Sequence, residues 1–88
     1  MAVVWIPALL RPLTEGKSQV VVEGETVRAI VEGLEARYPG VAARILDEDR
    51  IRPGLSVAVD GAVGHKGLRE PVGPESEVHF VPAMTGGA

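Results

Sequence analysis

The residues with the plainest chemical potential are the last ones, Met84-Thr85-Gly86-Gly87-Ala88, which follow the apolar run Val78-His79-Phe80-Val81-Pro82. Two adjacent glycines carry no Cβ, so they can lie extended in a channel too narrow for any side chain, with their backbone open to attack from either face. Five extended residues from Ala83 to Gly87 reach about 17 Å at ~3.4 Å each. Chain ends are commonly Gly-rich and frayed, so the meaning of the pair depends on what delivers it.

Other chemistry finds little support. The chain has no cysteine, which removes disulfides, thiolate metal sites and a catalytic thiol together. His65 and His79 have no carboxylate or second histidine at ligand spacing beside them, and they read as surface or half-buried histidines, not metal ligands. Thr14, Thr26, Ser56 and Ser76 lack a nucleophile-elbow context, and turns and caps account for them. Gly54 and the Gly64 to Gly67 stretch do not make a phosphate loop. No enzyme constellation, metal site or cofactor is therefore expected.

Composition narrows the class further. Eighty-eight residues make one domain with one small core. A net charge of −3, with a single Trp, Tyr and Phe, argues against nucleic acid as a partner. No run approaches the roughly 20 apolar residues of a membrane span. The start, Met1-Ala2-Val3-Val4-Trp5-Ile6-Pro7, has neither a basic nor a long apolar leader region, so a cytoplasmic protein, monomeric when free, is expected.

The elements that must position the tail follow from periodicity. Residues 2–10 are rich in β-formers and read as a first strand, with Ala2, Val4 and Ile6 on one face, Val3 and Trp5 on the other, and pairing loosened at Pro7. A turn or loop over Arg11 to Lys17 leads to a second strand, Ser18 to Glu23, antiparallel to the first. Val27, Ile30, Val31, Leu34 and Tyr38 then form one helical stripe behind a Thr26 N-cap, ended by Pro39-Gly40. Arg28, Glu32, Glu35 and Arg37 supply its wet side, and Gly33 marks close packing or is merely tolerated. Val41, Ile45 and Leu46 predict a short second helix, and Asp47 to Arg50 a charged loop. Ser56 to Val63 is a strand running into the Asp60-Gly61 hairpin turn. Gly64 to Gly73 is loop-like with Leu68 plugged into the core, and Glu77 to Pro82 is the last strand.

One amphipathic helix must bury its stripe on one face of a mixed sheet. This order predicts an α+β, β-grasp (ubiquitin-like) fold, with about four to five strands packed on one main helix plus a short helix. The domain is expected to span residues 1–82, followed by a mobile Gly-Gly tail over 83–88. Alternation turns Val78 and Phe80 inward and places Val3, Trp5, Ala58, His79 and Val81 on the uncovered face. An exposed Trp beside aliphatic residues predicts a partner-docking surface there, with Met84 and Thr85 on the approach to the tip.

A β-grasp order ending in Gly-Gly resembles the ubiquitin-like bacterial sulfur carriers of the MoaD/ThiS type, and most of all the CysO-type carriers of cysteine biosynthesis. Ile6-Pro7-Ala8-Leu9-Leu10-Arg11-Pro12-Leu13-Thr14 resembles the opening of that type, Leu34-Glu35-Ala36-Arg37-Tyr38-Pro39-Gly40 its helix end, and Pro82-Ala83-Met84-Thr85 its approach to the terminal glycines. The resemblance implies a carrier, not a catalyst: an E1-like enzyme adenylates the carboxylate of Gly87, and a sulfur donor converts it to a thiocarboxylate. It implies a sulfur-accepting biosynthetic enzyme, cysteine-synthase-like in the nearest case. A ubiquitin-like modifier joined to lysines, or the small subunit of a molybdopterin-synthase-like complex, would use the same tail. Ala88 departs from the pattern by following the reactive glycine. Either a metallopeptidase of the JAMM type trims it, or it does not belong to the natural chain.

Overall fold

The computed structural model describes residues 1–64 and 66–82; His65 and the tail over 83–88, with its expected mobility, lie outside them. Strand β1 (Ala2–Trp5) pairs antiparallel with β2 (Gln19–Val22) and parallel with β7 (Glu77–Pro82). Strand β7 pairs antiparallel with β5 (Leu55–Val59), which turns back into β6 (Ala62–Val63). The result is a five-stranded mixed sheet in the order β2-β1-β7-β5-β6, with the chain's first and last strands side by side at its centre. This is the β-grasp arrangement that the sequence predicts.

Helix α1 (Val27–Arg37) begins where the Thr26 hydroxyl accepts from the Ala29 N–H at 3.2 Å, the capping geometry expected of that residue. Val27, Ile30, Val31 and Leu34 are buried against Ala2, Val4, Ile6, Val20, Val22, Val57, Val78 and Phe80 of the sheet. Gly33 is a packing glycine: a Cβ there would lie 2.5 Å from Val22 Cγ1, so helix and strand approach closer than any side chain allows. Gly40, at φ +105°, ends the turn and starts α2 (Val41–Ile45).

Two residues assigned to the solvated side of α1 are bound to the fold. The Glu35 carboxylate accepts from the N–H groups of Gly40 and Ala42, supplying the cap that α2 lacks in its own sequence. Arg37 Nη1 donates to the Val21 carbonyl at 2.7 Å.

Two local expectations are corrected. The first strand stops at Trp5, and Ala8–Thr14 forms a 3₁₀ helix entered through Pro7 in place of the extended chain and loop expected over 6–17. Ala, Leu and Leu after Pro7 are not β-branched, and coiling them buries Leu10 and Thr14, whose hydroxyl bonds the carbonyls of Arg11 and Lys17. The charged loop at 47–50 is the tip of a small hairpin, β3 (Leu46–Asp47) with β4 (Arg50–Ile51), turning at Glu48 in a left-handed conformation. A second 3₁₀ turn, Gly67–Arg69, lowers Leu68 into the core as expected.

Candidate functional site

The site is the region where β7 hands the chain to its tail. Strand β7 alternates as predicted: Val78 and Phe80 are buried under α1, while His79 and Val81 face away from it. Cross-strand register lines Trp5, His79, Ala58 and Val63 in one row over the uncovered face, with Val3 and Val21 in a second row toward the start of β7. Val21, Val63 and Val81 are exposed, which gives the face an apolar character on three different strands.

Two of the expected face residues sit deeper than predicted. Trp5 is half-buried: its ring meets His79 edge to face, with centroids 5.3 Å apart and planes at 64°. Ala58 lies on the same face but is only 7% exposed, because its methyl is sunk between its cross-strand neighbours His79 and Val63. It forms the floor of the surface and presents little area of its own.

An open depression of about 420 Å³ lies at the exit end of the face, between β1 and β7 and the start of the 3₁₀ helix. Trp5, Pro7, Leu9, Arg11, His79 and Val81 line it. Leu9 projects into solvent at its rim, 83% exposed. Arg11 Nε donates to the Ile6 carbonyl at 3.2 Å, which ties its side chain to the residue that follows β1. The indole Nε1 of Trp5 is buried and has no hydrogen-bond partner among the described residues. An unpaired buried donor costs about 1–3 kcal/mol. Sequence reading missed Pro7, Leu9 and Arg11 as members of the site, since a strand through residue 10 disperses them. The i, i+3 spacing of Leu10 and Leu13 after Pro7 is the signal for the 3₁₀ turn that gathers them.

The start of β7 is built from polar groups. Asp60, at φ +53° in the hairpin turn with Gly61 at +85°, accepts the Ser76 hydroxyl at 2.8 Å and the Glu77 N–H at 2.9 Å. The Glu77 N–H first and the Ser76 hydroxyl second hold the Asp60 carboxyl below its ordinary value of 3.8. Ser76 Oγ in turn accepts from the Gly73 N–H. No group of three or more His, Asp or Glu residues able to hold a metal occurs among the described residues, and no helix there is long and apolar enough to cross a membrane. Gly86, Gly87, Ala88, Met84 and Thr85, the predicted tip and approach, lie outside the described residues, as does His65.

Comparison with known proteins identifies the family to which this fold belongs. The model of the ThiS family matches residues 4–87, a span that takes in nearly all of the domain and both terminal glycines. The chain belongs to the ThiS family. The sulfur carrier protein CysO of Mycobacterium tuberculosis and that of Mycobacterium bovis are each 32% identical over 89 residues, covering 93% of this chain and 94% of theirs. The fold superposes with TM-score 0.92 on a chain of the Amycolatopsis orientalis BexX/CysO complex, at 29% identity, covering 97% of this chain and 98% of that one. It superposes with TM-score 0.89 on M. tuberculosis CysO, at 28% identity, covering 96% of this chain and all of that one. The small archaeal modifier protein 1 of Methanosarcina acetivorans, at 18% identity and TM-score 0.80, shares the fold. This ThiS-family member is a CysO-like sulfur carrier and not itself a catalyst.

Proposed function

We propose that the protein carries sulfur as a thiocarboxylate on Gly87 and delivers it to a biosynthetic enzyme, of which a cysteine-synthase-like enzyme is the first candidate. The observation that carries this reading is the match to the ThiS family through Gly86 and Gly87, with relatives named as sulfur carrier proteins, in a chain whose central strand directly precedes the tail in sequence. A carboxylate resists displacement by sulfur. Attack of a Gly87 carboxylate oxygen on the α-phosphorus of ATP expels pyrophosphate and gives an acyl adenylate; a sulfide-class donor then displaces AMP, leaving C(O)S⁻ on the glycine.

Ala88 makes the Gly87 carboxyl group an amide, with no free oxygen to attack phosphorus. Activation therefore requires hydrolysis of the Gly87–Ala88 bond, the work of a metallopeptidase such as the JAMM type. The E1-like activating enzyme docks on the apolar sheet face, with Trp5, Val3, His79 and Val81 as contacts over the Ala58 floor, while Met84 and Thr85 thread its channel. Support for a docked state comes from the Amycolatopsis neighbour, a CysO bound in a complex with BexX.

Intact-mass spectrometry after incubation with the activating enzyme, ATP and a sulfide source tests the reading. The chain ending at Gly87 should gain about 16 mass units as oxygen is replaced by sulfur, and the chain ending at Ala88 should gain nothing. A gain on the untrimmed chain would overturn the processing step. No gain on the trimmed chain would overturn the carrier reading.

A further inference from the structure

We infer that the depression beside Trp5 is a resting site for the protein's own C-terminal carboxylate or thiocarboxylate, held by the Trp5 indole N–H and the Arg11 guanidinium. The inference rests on the reading of Gly87 as the working terminus and adds a place for that terminus when no partner is bound.

The donor pair comes first. Trp5 lines the depression, and its Nε1 is buried with no acceptor among the described residues. Arg11 shares the same lining, and its bond to the Ile6 carbonyl uses Nε, leaving the outer guanidinium nitrogens to meet an anion. A hydrogen-bond donor beside a cation selects a carboxylate-type ligand.

The reach comes next. Trp5 pairs in register with His79, three residues before Pro82, which places the indole about 10 Å back from the point of exit at ~3.3 Å per residue. Residues 83–87 span up to about 17 Å, enough to reverse and set the Gly87 carboxylate at that distance. Two glycines make the reversal free of Cβ clashes. Because the arm starts at the rim of the depression, its effective concentration there is on the order of millimolar, and a weak site suffices to hold it. The wall made by Pro7, Leu9 and Val81 is apolar and accommodates a chain end that carries no side chains.

The indole N–H resonance of Trp5, the only tryptophan, reports occupancy directly in ¹⁵N-labelled protein. In the full chain ending at Gly87 as the free acid, the resonance should lie downfield and its exchange with water should be slowed. Both effects should disappear when the same chain ends in a Gly87 amide, and in Arg11→Gln with the free acid. One resonance common to all three forms overturns the inference. A shift that grows with protein concentration overturns it in favour of the tail of a second copy, and a shift seen only after the activating enzyme is added assigns the depression to that partner instead. The mass assay on the same samples separates the two claims. Sulfur gain with a stationary indole sinks the resting site alone, and a moved indole without sulfur gain sinks the carrier reading alone.

Discussion

The two ends of β7 are built in opposite ways. At its start, Asp60, Ser76, Glu77 and Gly73 satisfy one another in a closed hydrogen-bond network, and the Glu77 carbonyl accepts from the Asp60 N–H at 2.8 Å. At its exit, the strand is flanked by exposed Val81 and Leu9, a half-buried indole whose N–H has no partner among the described residues, and one arginine. The polar end fixes the strand's position and register. The apolar end has interactions still to make, and these lie where the tail leaves. A carrier needs both, because an arm is useful only when its base is held.

Substitutions at the two ends should separate anchoring from delivery. The largest effect is expected outside both, at the tip: Gly87→Ala should lower thiocarboxylate formation by about 100-fold or more through bulk and misplacement in a glycine-sized channel. Circular dichroism melts of that variant should match those of the parent. If the variant is activated at the parental rate, the channel does not select glycine.

Phe80→Ala removes a side chain only 4% exposed between the exit of β7 and α1. It should cost about 3–5 kcal/mol in urea unfolding, a large part of the stability of a domain this small. A loss below ~1 kcal/mol would show that the exit end needs little of the core beneath it.

Trp5→Ala should leave stability within ~1–2 kcal/mol and weaken binding to the activating enzyme by about 30-fold, the scale of an interface anchor near 2 kcal/mol. Titration calorimetry with unchanged affinity would remove the exit face from the interface.

The smallest effect belongs to the polar end. The Asp60 carboxyl is held below its ordinary value in the folded chain, so its contribution is present in full above the unfolded value and is lost as pH falls through the lower folded one. Asp60→Asn keeps an acceptor for Glu77 but cannot accept from Ser76 in the same way. It should lower the melting temperature by a few degrees at pH 7, flatten the fall in stability below about pH 4, and leave partner affinity unchanged. Equal acid sensitivity of variant and parent would show that Asp60 does not set the acid limit.

Much of the fold was legible because it rests on short-range periodicity. The stripe from Val27 to Leu34, the Thr26 cap, the Asp60-Gly61 turn and the inward placement of Val78 and Phe80 are all readable from neighbours a few residues apart. What escaped depends on contacts distant in sequence or on a change of helical type. The coil after Pro7 is stabilised by burying Leu10 and Thr14 and by Arg11 returning to Ile6, and none of these interactions shows as a β or α period. The roles of Glu35 and Arg37 were hidden for the same reason: a charge on the outer side of a helix looks alike whether it meets water, the next helix or a strand edge. The face residues were identified from alternation, but their depth was not, because the burial of Ala58 is set by the size of its neighbours across two strands.

The bond from Arg37 to Val21 also bears on the open edge of the sheet. Val3 turns its N–H toward the Ser76 carbonyl, so the opposed Val21 directs its own main-chain groups off the outer edge of β2. That edge is the longer of the two at which the sheet ends, since β6 has only two residues. An unoccupied edge is a template for a foreign strand, and valines on both sides of β2 would make the pairing adhesive. The guanidinium occupies the Val21 acceptor and places a positive charge across the approach. A second copy pairing along β2 would first have to displace this guanidinium.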